Sequence, residues 1–233
     1  MLFGQDYEKI SITLGNYHIL EPNVFITDTI MAGVSLILSF YIFKMKSKSE
    51  FSRYWFLFFF VYGISSFVGG LGHALFYYFG VPGKFFTWIT GILSIYFIER
   101  AMIAVIKEER LYSLLKRLAF SKLLFVFAVF SIVCVTQPIV EKPSIGFLPV
   151  AINTIIGVIL SAGILGYRFS KSIHTDFKYF YYGVLIMVPS AVIFLAKINP
   201  HPWFDKNDLS HVLLTIGIVY FYVAIEKTKN LVR

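Results

Sequence analysis

The chain has 233 residues, 58% of them hydrophobic and only 15% charged, with a formal net charge of +8 and a mean hydropathy of +0.74. A soluble domain runs at about 45–50% apolar and about 25% charged, and a water-soluble globule of this length has no interior large enough for so many apolar side chains. Disorder, a disulfide scaffold, a collagen-like repeat and a cytosolic enzyme are therefore excluded, and the composition is that of an integral membrane protein.

The basic residues form short clusters between apolar runs instead of one patch. The expected partner is membrane lipid and not nucleic acid. The single cysteine, Cys134, lies inside an apolar run and reads as a small buried hydrophobe.

In chain order, the N-terminus lacks the basic, apolar, then small-residue pattern of a cleaved signal peptide. The first strong apolar run begins near Asn23, so it is expected to act as an uncleaved signal anchor. A helix needs about 20 mostly apolar residues to cross the hydrocarbon layer, with about 17–25 tolerated. Seven segments qualify, near 24–44, 54–80, 84–106, 120–140, 145–167, 178–198 and 208–226. The predicted fold is all-α, a single seven-transmembrane-helix domain over residues 1–233. The runs are continuous and lack period-two alternation, which excludes β-barrel strands. The one long connection, Lys107 to Lys122, reads KEERLYSLLKRLAFSK. Its helical spacing suggests either an extended third helix or an amphipathic surface helix.

Orientation follows from the distribution of Lys and Arg. Sixteen of the 21 fall on the side that carries the C-terminus, and only Lys9, Lys84, Lys142, Lys197 and Lys206 fall on the other. The N-terminus is expected outside and the C-terminus in the cytoplasm, with the chain in a plasma or inner membrane.

Ionisable groups inside a bilayer are costly and mark candidate functional sites. Asp28, His73 and His211, from the first, second and seventh spans, all map to the outer third of the membrane. On the second span, Ser66, Gly69, Gly70 and His73 fall on one helical face. On the seventh, Asn207 and Asp208 precede His211 by four and three residues. Two imidazoles with one or two carboxylates suit zinc, and a zinc ion with an open position brings the pKa of bound water to about 7. Each residue also has a plainer reading. A membrane histidine serves as an interhelical hydrogen-bond partner; Asp28 caps the first helix or pairs with Lys197; Asp208 supplies a first-turn charge; Ser66 bonds a carbonyl one turn back. Glu99 and Arg100, deeper in the third span, read as structural pairs, with Arg100 reaching toward the inner interface. His18 and His174 are expected in solvated loops, and His201 in a turn.

Seven spans, a Ser and His on the second and a polar-xxx-His opening the seventh resemble the superfamily of alkaline ceramidases and progestin and adiponectin receptors. That resemblance assigns Ser66 and His73 to the second-helix pair and Asn207 and His211 to the HxxxH positions, with Asn207 replacing the first histidine. It implies a zinc-dependent membrane hydrolase acting on an amide or ester bond of a lipid. On this reading His73, His211 and Asp208 (or Asp28) hold zinc, and Ser66 with the remaining carboxylate, Asp28, serves catalysis. The alternative is a non-enzymatic seven-helix protein, a small-molecule or pH sensor or a transporter, that uses the same polar cluster.

Overall fold

A computed structural model describes residues 4–45 and 49–232. It contains seven helices long and apolar enough to cross a membrane: Pro22–Phe43, Glu50–Ala74, Val81–Ile103, Glu109–Thr136, Pro143–Ser172, Thr175–Leu195 and Lys206–Thr228. They are called the first to seventh helices below. The all-helical, seven-span expectation holds at this level. Lys46, Lys48 and Arg233, which enter the charge count, lie outside the described residues.

Local chemistry sets the helix starts. Pro22 and Pro143 occupy the first turns of the first and fifth helices, where no backbone N–H is needed. Ser49 caps the second helix by accepting the Ser52 N–H at 3.3 Å. Asp205 caps the seventh, and Asp208 completes a reciprocal capping box.

The stretch 107–122 departs from both expectations. The third helix ends at Ile103, and Glu109 opens a fourth helix that runs unbroken to Thr136. Glu108 and Glu109 favour a helix N-terminus electrostatically, and no Gly or Pro occurs before Thr136. A helix of 28 residues is about 42 Å long, against about 30 Å of hydrocarbon. Three of its four basic residues, Arg110, Lys116 and Arg117, lie in its first third.

An element that apolar-run counting passes over precedes the bundle. Ser11–Leu14 pairs antiparallel with Tyr17–Leu20, closing around Gly15 and Asn16 with Leu14 opposite Tyr17. Gly15 takes φ +62, a left-handed conformation that glycine adopts without a Cβ clash. Gly-Asn between two strand-like runs is a hairpin signal. His18 lies in this hairpin, and its N–H donates to the Tyr78 hydroxyl at 2.9 Å.

The first helix packs between the second and the seventh; the second also meets the third, the third meets the fifth, and the fifth and seventh flank the sixth. The fourth helix lies outside this ring against the third and fifth. Trp55 stacks on Phe180 at 5.1 Å and meets Phe221 at 5.5 Å, joining the second, sixth and seventh helices in the half of the bundle away from the hairpin. A second cluster of Trp88, Ile92, Phe130 and Val150 joins the third, fourth and fifth. Small residues permit close helix approach: a Cβ on Gly183 would lie 2.8 Å from the Gly217 carbonyl oxygen. Large apolar side chains such as Ile37, Phe125, Leu185 and Leu195 point outward, as a lipid-facing surface requires.

The deep charges are paired. Glu99 binds Lys122 of the fourth helix. Arg100 does not reach freely to the interface: it is buried, ion-paired with Glu50 and bonded to the Tyr96 hydroxyl at 2.9 Å.

Candidate functional site

The polar cluster at the hairpin end is organised by the first helix. Glu21, its N-cap, holds φ 48 and ψ 53. This left-handed conformation is unusual for a residue that is neither glycine nor asparagine, and it is further restricted before a proline. The Glu21 N–H donates to Ile10 in the hairpin at 2.8 Å. Its carboxylate turns inward, only 5% exposed, and accepts from Lys9 Nζ at 2.9 Å and His73 Nδ1 at 2.8 Å. Burial pushes the Glu21 carboxyl up, but the hydrogen bond from His73 and the Lys9 ammonium outweigh it and hold it at about 2.

The other imidazole nitrogen of His73, Nε2, faces Lys84 Nζ at 3.4 Å. One tautomer satisfies both contacts: Nδ1 carries the proton and donates to Glu21, while Nε2 accepts from Lys84. His73 thus ties the N-cap of the first helix to the start of the third.

A second network joins the first helix to the seventh. Asp208 is fully buried and accepts three hydrogen bonds: from Asn23 Nδ2 at 2.6 Å, Thr27 Oγ1 at 2.9 Å and the Asp205 N–H at 2.9 Å. Thr27 Oγ1 also lies 3.0 Å from His211 Nδ1. A hydroxyl has one proton; with that proton on Asp208, His211 Nδ1–H donates to the Thr27 oxygen. His211 Nε2 then faces Asp28 Oδ1 at 3.5 Å. Asp208 is therefore both the first-turn acid of a capping box and the anchor between the first and seventh helices.

The remaining sequence-predicted residues fall elsewhere. Ser66 donates to the Tyr62 carbonyl at 2.9 Å, the backbone bond one turn back. Asn207 folds onto its own cap, its N–H on Asp205 Oδ1 at 2.7 Å. Lys197 pairs with Asp6 at 3.3 Å and not with Asp28. The supposed single face of the second helix divides in two. A Cβ on Gly70 would meet Asp28 Cβ of the first helix at 2.9 Å, whereas one on Gly69 would meet Thr87 of the third at 3.0 Å. His201 holds a turn, its Nδ1 accepting the Trp203 N–H at 3.1 Å.

His73, His211 and Asp208 do not converge on one point. The first helix gives Glu21 to one imidazole and Asp28 with Thr27 to the other. Among the described residues no three His, Cys, Asp or Glu side chains form a metal-holding group. An ammonium beside His73 Nε2 also opposes a second cation there. As arranged, the donor set does not fit zinc.

Glu21, Asn23, Thr27 and Lys84 were not singled out from the sequence. Asn23 and Thr27 share a face by their i,i+4 spacing, and Glu21 stands directly before the proline that opens an apolar run. Those were the available signals. Lys84 offered none beyond its place on the side poor in basic residues.

A profile described as a family of unknown function, DUF6962, covers residues 23–230. No curated protein and no solved structure matches the chain.

Proposed function

The chain belongs to the DUF6962 family, and we propose that it is a non-enzymatic integral membrane protein that responds to protons at its outer face. The excess of Lys and Arg on the C-terminal side supports placing the hairpin outside and the C-terminus in the cytoplasm. The carrying observation is His73, held between the Glu21 carboxylate at 2.8 Å and the Lys84 ammonium at 3.4 Å.

The chemistry is a local two-state element. With His73 neutral, each imidazole nitrogen has a partner of the right kind. A proton arriving at Nε2 removes the acceptor and places two cations side by side, so Lys84 must leave. Glu21 gains a full ion pair in exchange. Lys84 begins the third helix and Glu21 begins the first, so protonation loosens one helix start while tightening the other. The groups in contact with this imidazole are Glu21 and Lys84, with Lys9 on the far side of Glu21, and His211 of the seventh helix lies within electrostatic reach. His211 Nε2 faces Asp28 Oδ1 at 3.5 Å, with Thr27 and Asp208 holding the ring in place. Imidazole titrates near 6.5 in water, which makes histidine the side chain suited to such a task.

Hydrogen exchange on the full chain in nanodiscs, followed between about pH 5 and pH 8, tests the reading. Amides around residues 81–87 should lose protection on acidification, and His73→Gln, which keeps one donor and one acceptor without titrating, should abolish that change. An unchanged response in His73→Gln would refute it. Elemental analysis of the same preparation supplies the opposing outcome. Stoichiometric zinc that disappears in His73→Ala and His211→Ala, together with fatty acid released from added lipid, would restore the lipid hydrolase reading.

A further inference from the structure

The opposite end of the bundle carries a second site, built from residues that the outer network does not use. A cavity of about 360 Å3 opens between the third and fourth helices, lined by Tyr96, Arg100, Lys116, Arg117, Phe120 and Ser121. Three of the six are cationic and none is acidic.

The cations differ in how they are held. Arg100 is 5% exposed, and its guanidinium is fixed from one side by Glu50 and Tyr96 and lies 4.5 Å over the Tyr54 ring. Glu50 is itself anchored by the Tyr112 hydroxyl at 2.6 Å. Arg100 Nε nonetheless has no hydrogen-bond partner and is fully buried. Lys116 and Arg117 form no ion pair with an acid among the described residues; Arg117 Nε reaches only the Ser113 carbonyl at 3.3 Å.

The surroundings say what kind of anion fits. Phe120 and Tyr96 supply apolar walls. On the same fourth helix Leu118, Leu124 and Phe125 are more than half exposed, at 54%, 54% and 68%. The cavity is therefore continuous with a lipid-facing surface and lies where the third helix ends, at the polar boundary of the layer. Basic pockets between helices at this depth are suited to lipid phosphates.

We propose that this cavity binds the phosphate of an anionic phospholipid. Lys116 and Arg117 would meet the phosphate oxygens beside the Arg100 guanidinium, and Ser121 would donate to the headgroup. The acyl chains would run along Phe120 and the exposed leucines of the fourth helix.

The test is native mass spectrometry of the full chain released from nanodiscs of phosphatidylcholine with and without phosphatidylglycerol. The wild type should retain phosphatidylglycerol selectively. The double variant Lys116→Gln, Arg117→Gln, which alters only surface positions and leaves the Arg100–Glu50 pair intact, should bind it roughly 30-fold more weakly, from about 1 kcal/mol per lost charge. Lys171→Gln with Lys178→Gln, basic residues at the same end but away from the cavity, should bind as the wild type does. Equal weakening in both double variants would reduce the effect to general surface charge and overturn the site. Displacement of the lipid by an equal concentration of inorganic phosphate or glycerol phosphate would overturn the lipid assignment.

Discussion

Asp208 offers the sharpest test of how the first and seventh helices are joined. Its fully buried carboxylate accepts from Asn23 at 2.6 Å, from Thr27 at 2.9 Å and from the Asp205 N–H at 2.9 Å. Asp208→Ala removes both acceptor oxygens, and with them all three hydrogen bonds, and leaves the Asn23 amide without a partner. Hydrogen bonds to charged groups contribute about 1.5–3 kcal/mol each, and an orphaned buried donor costs about 1–3 kcal/mol. The Asp205 amide can turn to water at the helix start, so we expect a loss of about 3–5 kcal/mol, below the simple sum. The informative measurement is a double-mutant cycle of Asn23→Ala and Asp208→Ala, read by reversible unfolding in detergent. Interhelical hydrogen bonds in membranes average about 0.6 kcal/mol and reach about 1.7 kcal/mol. A charge-assisted bond at 2.6 Å should couple near the top of that range. A coupling energy below about 0.5 kcal/mol would mean that the contact does not hold the helices together.

Two further expectations follow from the network at the hairpin end. The Glu21 carboxyl is held at about 2 against an ordinary 4.5, so the sign is that of a depressed acid. Its contribution, about 3 kcal/mol from the width of that shift, is fully present above pH 4.5 and is lost as the pH falls toward 2; acid unfolding of wild type against Glu21→Gln should show a flatter curve for the variant across that window. Gly70→Ala places a Cβ 2.9 Å from Asp28 Cβ, a contact with no flexible end to yield, and should cost about 1–3 kcal/mol by overpacking, read as a lower midpoint of thermal unfolding; an unchanged midpoint would show that the two helices are further apart than described.

The sequence by itself determined the class and most of the architecture. Seven long apolar runs, too hydrophobic for water and too continuous for strands, leave helices as the structure that satisfies its backbone in lipid. Proline and Asp205 fixed several of the starts, and the depth of Asp28, His73 and His211 could be counted along their runs. Partnership could not be read the same way. A span has a depth but no legible rotation or neighbour, because almost every face of it is apolar. Only the packing decided that Glu21 in its left-handed turn takes one histidine, and that Thr27 and Asp28 take the other. It likewise decided that Ser66 turns back on its own helix and that Glu50, not lipid or solvent, receives Arg100. These pairings join residues up to 184 positions apart, and a contact of that range is set by which helices meet, a property that local spacing does not encode.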